Sequence, residues 1–227
     1  MSAMLHIVVL GRGKTGSLVV EVAGERGHIV QSITSAENPA GAWLTAANLY
    51  ATDVVIDFTT PHAVLPNVSA VMHSGKPMVV GTTGWYGEMQ RVKTLVEAAR
   101  TGFVFGANFS YGVNLFFQIV KAAAPALRHG YTGHITERHH IQKRDAPSGT
   151  AVAMQKILQS EQVGITSERE GDVTGTHILE LNSTGDRILL THEAKSRRTF
   201  AEGAVLAAEW IMGKQGFYDF KDIFAEL

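Results

Sequence analysis

Short apolar runs separated by amphipathic stretches fill the first hundred residues. Residues 5–10, 28–34, 53–58, 77–80 and 103–106 read as strands. Residues 5–10 form a continuous apolar run, as parallel strands buried on both faces do. Residues 13–25, 39–50, 61–73 and 88–100 carry helical patterns. The third of these opens on Pro61, where a missing N–H costs nothing. This βαβ rhythm predicts a parallel sheet with helices on both faces.

The pattern changes after residue 108. A helix is expected over residues 113–127, a strand over 133–140, and a helix from Thr150 to about residue 159. Two β-type runs, 177–181 and 187–192, flank Asn182-Ser-Thr-Gly-Asp186, a turn-forming sequence. Successive strands with short turns predict an antiparallel or mixed sheet. A helix over 200–212 and a tail containing Gly216-Phe-Tyr-Asp-Phe220 complete the pattern. The sequence shows no internal repeat and no long linker.

Gly11-Arg-Gly-Lys-Thr-Gly16 gives the first half a chemistry. It has the form G-x-G-x-x-G, follows a predicted strand and opens a predicted helix, the context in which such a loop binds a dinucleotide. Gly11 permits a tight turn, Gly13 lets backbone approach a pyrophosphate, and Gly16 lets helix and strand pack closely. Arg12, Lys14 and Thr15 complete the candidate cofactor loop. The end of the second strand has no acid to bind a ribose. Thr34 and Ser35 stand there instead, and their hydroxyls suit a ribose hydroxyl or a 2′-phosphate. Glu37 comes later in the chain than the expected position, so NADH and NADPH both remain open. Phe58 and Thr59, in Asp57-Phe-Thr-Thr-Pro61, and Gly81, Thr82 and Thr83, in Gly81-Thr-Thr-Gly84, follow strands on the carboxyl edge where ligands sit.

The expected fold is α/β: an N-terminal Rossmann-like dinucleotide-binding domain plus an α+β substrate and oligomerisation domain with a mixed sheet. The first is expected to comprise residues 1–108 and 197–227, the second residues 109–196.

Bulk composition narrows the field. The chain has 227 residues, 45% hydrophobic and 18% charged, as soluble globular proteins do. A net charge of −1 supplies no global field toward nucleic acid or membrane, so neither is an expected partner. The absence of cysteine excludes disulfides and thiolate ligands and agrees with a cytoplasmic location. The ten histidines form no zinc pattern, so no metal is expected. The start of the chain lacks a basic signal-peptide region, and Asn108, Ser110, Asn114 and Gln118 interrupt the longest apolar window.

Positive charge is concentrated locally, in Glu137-Arg-His-His-Ile-Gln-Lys-Arg-Asp-Ala-Pro-Ser-Gly-Thr150. His139 and His140 suit proton transfer near neutral pH. Lys143 and the backbone N–H groups of Ser148, Gly149 and Thr150, opening a predicted helix, suit an anion. His134 has no such support and reads as structural.

Taken together, these motifs resemble the 4-hydroxy-tetrahydrodipicolinate reductase (dihydrodipicolinate reductase) family. The matching blocks are Gly11–Gly16, Asp57–Pro61, Gly81–Gly84, Ala107-Asn-Phe-Ser-Tyr-Gly-Val-Asn114, residues 137–151, Gly171-Asp-Val-Thr-Gly-Thr-His177 and Ser196-Arg-Arg-Thr-Phe-Ala-Glu-Gly-Ala204. The 137–151 block is similar to the family signature E-x-H-H-x-x-K-x-D-A-P-S-G-T-A. The chain departs from the family elsewhere: the glycine loop is short, with Thr15 where methionine is common, the acid after the second strand is missing, and the chain is compact.

The resemblance implies reduction of a cyclic unsaturated dicarboxylate to tetrahydrodipicolinate, by NADH or NADPH, in diaminopimelate and lysine biosynthesis. It implies His139 as proton donor, His140 as a substrate-binding neighbour, Lys143 as a catalytic, carboxylate-binding lysine, and Gly149 and Thr150 at the carboxylate. Ala107, Asn108 and Phe109 join the cofactor candidates. It also implies a homotetramer built through the second domain's sheet. Two other function classes are a hydrolase using Ser148, His139 and Asp145, and a non-catalytic NAD(P)H sensor; another small dicarboxylate is a further substrate reading. The serine lacks a G-x-S-x-G elbow, and a sensor would not need the histidine–lysine cluster.

Overall fold

The computed structural model describes residues 3–227 and divides into two compact units. One comprises the chain through Tyr111 together with Arg197–Leu227; the other is Gly112–Ser196.

The first unit holds strands β1 (His6–Leu10), β2 (Ile29–Ile33), β3 (Val54–Asp57), β4 (Met78–Val80) and β5 (Gly102–Phe105). Helices α1 (Lys14–Glu25), α2 (Pro61–His73) and α3 (Met89–Ala99) connect them. All strand pairs are parallel, in the order β10-β5-β4-β3-β1-β2, with β10 (Gly216–Asp219) joining from the far end of the sequence. Side chains alternate strictly between two cores, as the period of a strand requires. Ile7, Val9, Val54, Ile56, Val79 and Val104 face α1 and α6 (Arg198–Trp210). Val8, Leu10, Val55, Met78, Val80 and Phe103 face residues of α2 and α3. Both faces are dry, which is why these strands read as unbroken apolar runs.

The expected helix over residues 39–50 is not formed. A single 3-10 turn, Pro39–Gly41, stands in its place. Ala40 and Gly41 take φ of 51° and 83°, which ends a right-handed helix at once. Gly41 also lies where a Cβ would sit 3.0 Å from the Pro66 carbonyl of α2. The strand β10 was not expected.

The second unit contains α4 (Tyr111–Ala123, entering from the first unit), β6 (Thr132–His139), α5 (Gly149–Leu158), β7 (Gly164–Arg169), β8 (Thr176–Asn182) and β9 (Arg187–Glu193). Its sheet runs β7-β6-β8-β9: β7 is parallel to β6, the others antiparallel. The mixed sheet agrees with the expectation, although β7 was not foreseen. Ile135, Leu179 and Leu181 pack with Phe116, Val120, Ala151, Met154 and Leu158 on one face. The long helix expected over 113–127 stops at Ala123 and continues as a 3-10 turn through Arg128, where Pro125 cannot donate to an α-helical bond. A short helix, α7 (Phe220–Ile223), follows β10. Among the described residues no helix is long and apolar enough to cross a membrane.

Candidate active site

In the first unit the glycine loop lies at the carboxyl end of β1. The strand order reverses there, with β2 on one side and β3 on the other, a switch point where such sheets bind ligands. Gly11 has φ of 95°, and a Cβ on it would lie 2.4 Å from the Phe58 carbonyl oxygen. A Cβ on Gly16 would lie 2.1 Å from the Gly11 carbonyl, so α1 rests directly on the turn. A Cβ on Gly13 would meet nothing within 4 Å, so that space is open to a ligand. Gly13, Lys14, Thr15, Gly16, Phe58, Thr59, Gly81, Thr82 and Thr83 come together around one groove of about 340 Å³. A Cβ on Gly81 would lie 2.2 Å from the tip of the Phe58 ring, so the ring packs directly over the Gly81 backbone.

The loops around this groove are held by Asp57, whose side chain the sequence reading gave no role. It is fully buried and accepts from Thr59 N–H at 2.8 Å, Thr59 Oγ1 at 2.6 Å, Thr82 Oγ1 at 2.9 Å and Asn67 Nδ2 at 2.8 Å. Burial pushes its pKa up, and these donors oppose the shift.

The remaining cofactor candidates lie elsewhere in this unit. Arg12 reaches β2, donating from Nε to Ser32 Oγ at 2.7 Å and from Nη2 to the Ser32 carbonyl at 2.9 Å. Thr34 and Ser35 follow β2. Ala107 and Asn108 follow β5, and Asn108 Oδ1 accepts the Ser110 N–H at 2.8 Å. Phe109 differs from the others: its ring is buried in the core, 4.6 Å from Phe220 and 6.3 Å from Phe58 between centroids.

In the second unit β6 carries Glu137 and His139 on one face, since they are two residues apart. Glu137 is fully buried and accepts from His139 Nδ1, from Arg169 Nη2 at 2.9 Å and from the Ser148 N–H at 3.2 Å. Burial opposes its charge, but hydrogen bonds from Arg169, Ser167 and His139 prevail, and its pKa lies below the ordinary carboxylate value. His139 is shifted down, chiefly by burial; Glu137 resists this, while Lys143 and Arg169 add to it. Its ring meets His177 edge-on at 5.1 Å. His177 is buried and pushed down to about 4, first by burial and then by the neighbouring His139.

Lys143 Nζ donates to both oxygens of Asp145 at 2.8 Å. Arg169 fastens this loop as well, donating to the Asp145 carbonyl at 2.6 Å. His140 follows β6, and its N–H donates to the Val173 carbonyl at 2.7 Å. Gly149 and Thr150 open α5, where first-turn amides face outward along the axis. Ser148 is placed differently from the expectation. Its amide is used by Glu137, and its hydroxyl caps α5 by accepting from Ala151 N–H at 3.2 Å and shares a hydrogen bond with His177 Nε2 at 3.0 Å. Its side chain is an internal brace, because burial leaves it no open face. His134 Nε2 lies 2.9 Å from Thr166 Oγ1 on the neighbouring strand, a structural contact.

Glu137, Arg169 and His177 thus underlie the expected residues. Glu137 and His177 stood inside quoted motifs without a role. Arg169 went unnoticed because its strand, β7, is largely polar and gave no hydrophobic signal.

Comparison with known proteins bears on both units. Residues 5–109 match the family described as dihydrodipicolinate reductase, N-terminus, and residues 112–224 the one described as dihydrodipicolinate reductase, C-terminus. The chain belongs to the dihydrodipicolinate reductase family. It is 34% identical to the 4-hydroxy-tetrahydrodipicolinate reductase of Christiangramia forsetii, over 98% of this chain and 99% of that protein. It is 36% identical to the enzyme of the same name from Natronomonas pharaonis, over 96% and 99% of the two chains. Its fold is similar to the dipicolinate-bound dihydrodipicolinate reductase of Paenisporosarcina sp. TG-14, with a TM-score of 0.79 at 21% identity, covering 97% of this chain and 100% of that one.

Proposed function

We propose that this member of the dihydrodipicolinate reductase family reduces 4-hydroxy-tetrahydrodipicolinate to tetrahydrodipicolinate, the step of diaminopimelate and lysine biosynthesis for which its relatives are named. One observation carries the reading: a histidine is seated on a buried carboxylate, in the same unit as a lysine and the open end of a helix. This set suits a dianionic substrate that must be protonated as it is reduced.

The groove fits a dinucleotide, since only there does a glycine of the loop face open space at the end of β1. Gly13 and the first turn of α1 would hold the pyrophosphate, with Phe58, Thr59 and Gly81–Thr83 along the walls. The nicotinamide, when bound, supplies the hydride. The protein's own residues supply orientation and charge.

Loss of the 4-hydroxyl as water leaves a conjugated imine; once hydride has added to it, His139 donates the proton that the electron-rich product needs, a role that suits a group titrating near neutrality. Glu137 accepts a hydrogen bond from Nδ1–H, which directs Nε2 toward the substrate and supports the imidazolium. Lys143 stabilises developing negative charge and contacts a carboxylate, exchanging Asp145 for the substrate. His140 and the amides of Gly149 and Thr150 hold the carboxylates. The first unit serves the cofactor, and the second, residues 109–196 in outline, serves the substrate and assembly. We extend the reading to a cytoplasmic homotetramer. The β6–β9 sheet supports it, because the face opposite its core carries Leu189 half exposed beside His134, Thr136 and Glu180.

The test is oxidation of NADH and of NADPH with substrate made in place by condensing pyruvate with aspartate semialdehyde. Substrate-dependent oxidation is expected. His139→Ala and Lys143→Ala are each expected to lower turnover by about 10²–10⁴-fold with the fold intact. Near-wild-type turnover in both variants would exclude the assignment.

A further inference from the structure

Residues 140–148 join β6 to α5 without helix or strand, and Lys143 stands among them. A lysine on a flexible four-carbon stem reaches one place reproducibly only if its backbone is held there. The start of the segment is secured by its own amides. His140 N–H donates to the Val173 carbonyl at 2.7 Å, Ile141 N–H to the Gly171 carbonyl at 3.2 Å, and Lys143 N–H closes a turn on the His140 carbonyl at 3.1 Å. Beyond that point the segment is held by Arg169.

Arg169 ends β7, and strand register pairs it with His139. Its Nη2 donates both to Glu137 Oε1 at 2.9 Å and to the Asp145 carbonyl at 2.6 Å. Nη1 donates to the Glu168 carbonyl at 2.6 Å, and Nε to the Lys143 carbonyl at 3.4 Å. Four of the five N–H groups of the guanidinium are thus used by the protein itself. Glu137 in turn seats His139 through Nδ1, and the Asp145 carboxylate takes Lys143 Nζ on both oxygens at 2.8 Å. One planar group therefore bonds to the carboxylate under the histidine and to the backbone on either side of Arg144. The angle between these bonds is fixed by the plane of the guanidinium, so sliding the segment past Glu137 breaks at least one of them. The same group acts on charge: against burial, the Arg169 bond leads the influences that hold the Glu137 carboxyl below its ordinary value.

We propose that Arg169 is a positioning residue for the reduction: its guanidinium holds the Lys143 segment in register with the Glu137–His139 pair, so that lysine and acid meet the substrate together. The proposal rests on His139 and Lys143 being the proton donor and the carboxylate-binding lysine. A lysine in place of Arg169 keeps the positive charge but offers one flexible ammonium, which does not fix two acceptors at a set angle.

Steady-state kinetics of the full-length enzyme, with substrate made in place, test this through paired substitutions. Arg169→Lys should lower kcat by about 10–100-fold and raise the substrate KM, with cofactor affinity unchanged. Lys143→Ala and Glu137→Gln each remove one of the two groups that Arg169 holds in register. The cost of Arg169→Lys should therefore shrink by at least about threefold in either background. A general loss of structure would lower activity by the same factor in every background; that result, or wild-type kinetics in Arg169→Lys, would overturn the proposal. Hydrogen exchange on the unsubstituted protein supplies a readout that does not depend on any variant folding. The amides of Ile141, Lys143 and Ser148, on both sides of the Arg169 contacts, should exchange at least about tenfold more slowly than in an unstructured chain. Free exchange across the segment would show that it is not held, and the proposal would fall. A folded wild type without turnover would overturn the assigned reaction and this inference with it.

Discussion

A carboxylate removed from water is tolerated only when its lone pairs are engaged, because an unpaired buried charge costs several kcal/mol. Glu137 meets that condition with four donors, from His139, Arg169, Ser148 and Ser167. One of those bonds sits under the proposed acid, so Glu137 is a positioning residue whose loss should show in a pH profile. Burial and the two nearby cations favour neutral His139, and Glu137 is the group that opposes them. Glu137→Gln removes that opposition, so protonated His139 persists only to lower pH. The decline of kcat/KM with rising pH should move down by about one unit, and kcat should fall roughly 10–100-fold. A profile that keeps its wild-type shape would assign Glu137 a purely structural role. His139, His140 and Lys143 were legible in the sequence because they are consecutive chemistry in one short stretch. Their supports were not: Glu137, Arg169 and His177 meet only through strand register, which pairs Glu137 with His177 and His139 with Arg169. Nor could the sequence show that Ser148 turns inward, since capping is a property of its φ and ψ and its neighbours.

The β1–α1 junction separates two uses of glycine at the level of the element. A methyl group at Gly16 would collide with backbone at Gly11, which cannot swing aside as a side chain could. Gly16→Ala should therefore force α1 off β1, lowering stability by about 1–3 kcal/mol together with cofactor binding. Gly13→Ala meets no atom of the protein and has an ordinary φ of −70°, so the melting temperature should hold or rise slightly. Its cofactor affinity should nonetheless fall, by about tenfold or more, if pyrophosphate occupies that space. Thermal melts and NADH titrations of the two variants separate these outcomes. Elements with strong hydrophobic period were legible: five strands and four helices of the first unit stand close to where the pattern put them. The pattern misled at residues 39–50, where left-handed backbone at Ala40 and Gly41 overrides helical spacing. It was silent at β7, a largely polar edge strand, and at β10, an edge strand of four residues.

For the molecule as a whole, acid should be the weak side. The unfolded chain protonates His177 near pH 6.5, whereas the folded one does so only near 4. Its contribution to stability is complete above about pH 6.5 and is lost as pH falls toward 4, about 3 kcal/mol in all. His139 and His192 are also shifted down and act in the same direction. Urea midpoints should drop between about pH 7.5 and pH 5 in the wild type, and His177→Gln should flatten part of that slope. The chain's path has a consequence for its birth. The first unit is completed only by β10, which pairs with β5, and by α6, whose Ala201, Ala204, Ala207 and Ala208 finish the core shared with α1. A ribosome delivers Tyr111 long before Arg197, so the nascent first unit must wait with half of one sheet face bare. The continuous segment made second is thus the one free to finish folding first, a reversal of the usual order of synthesis and folding.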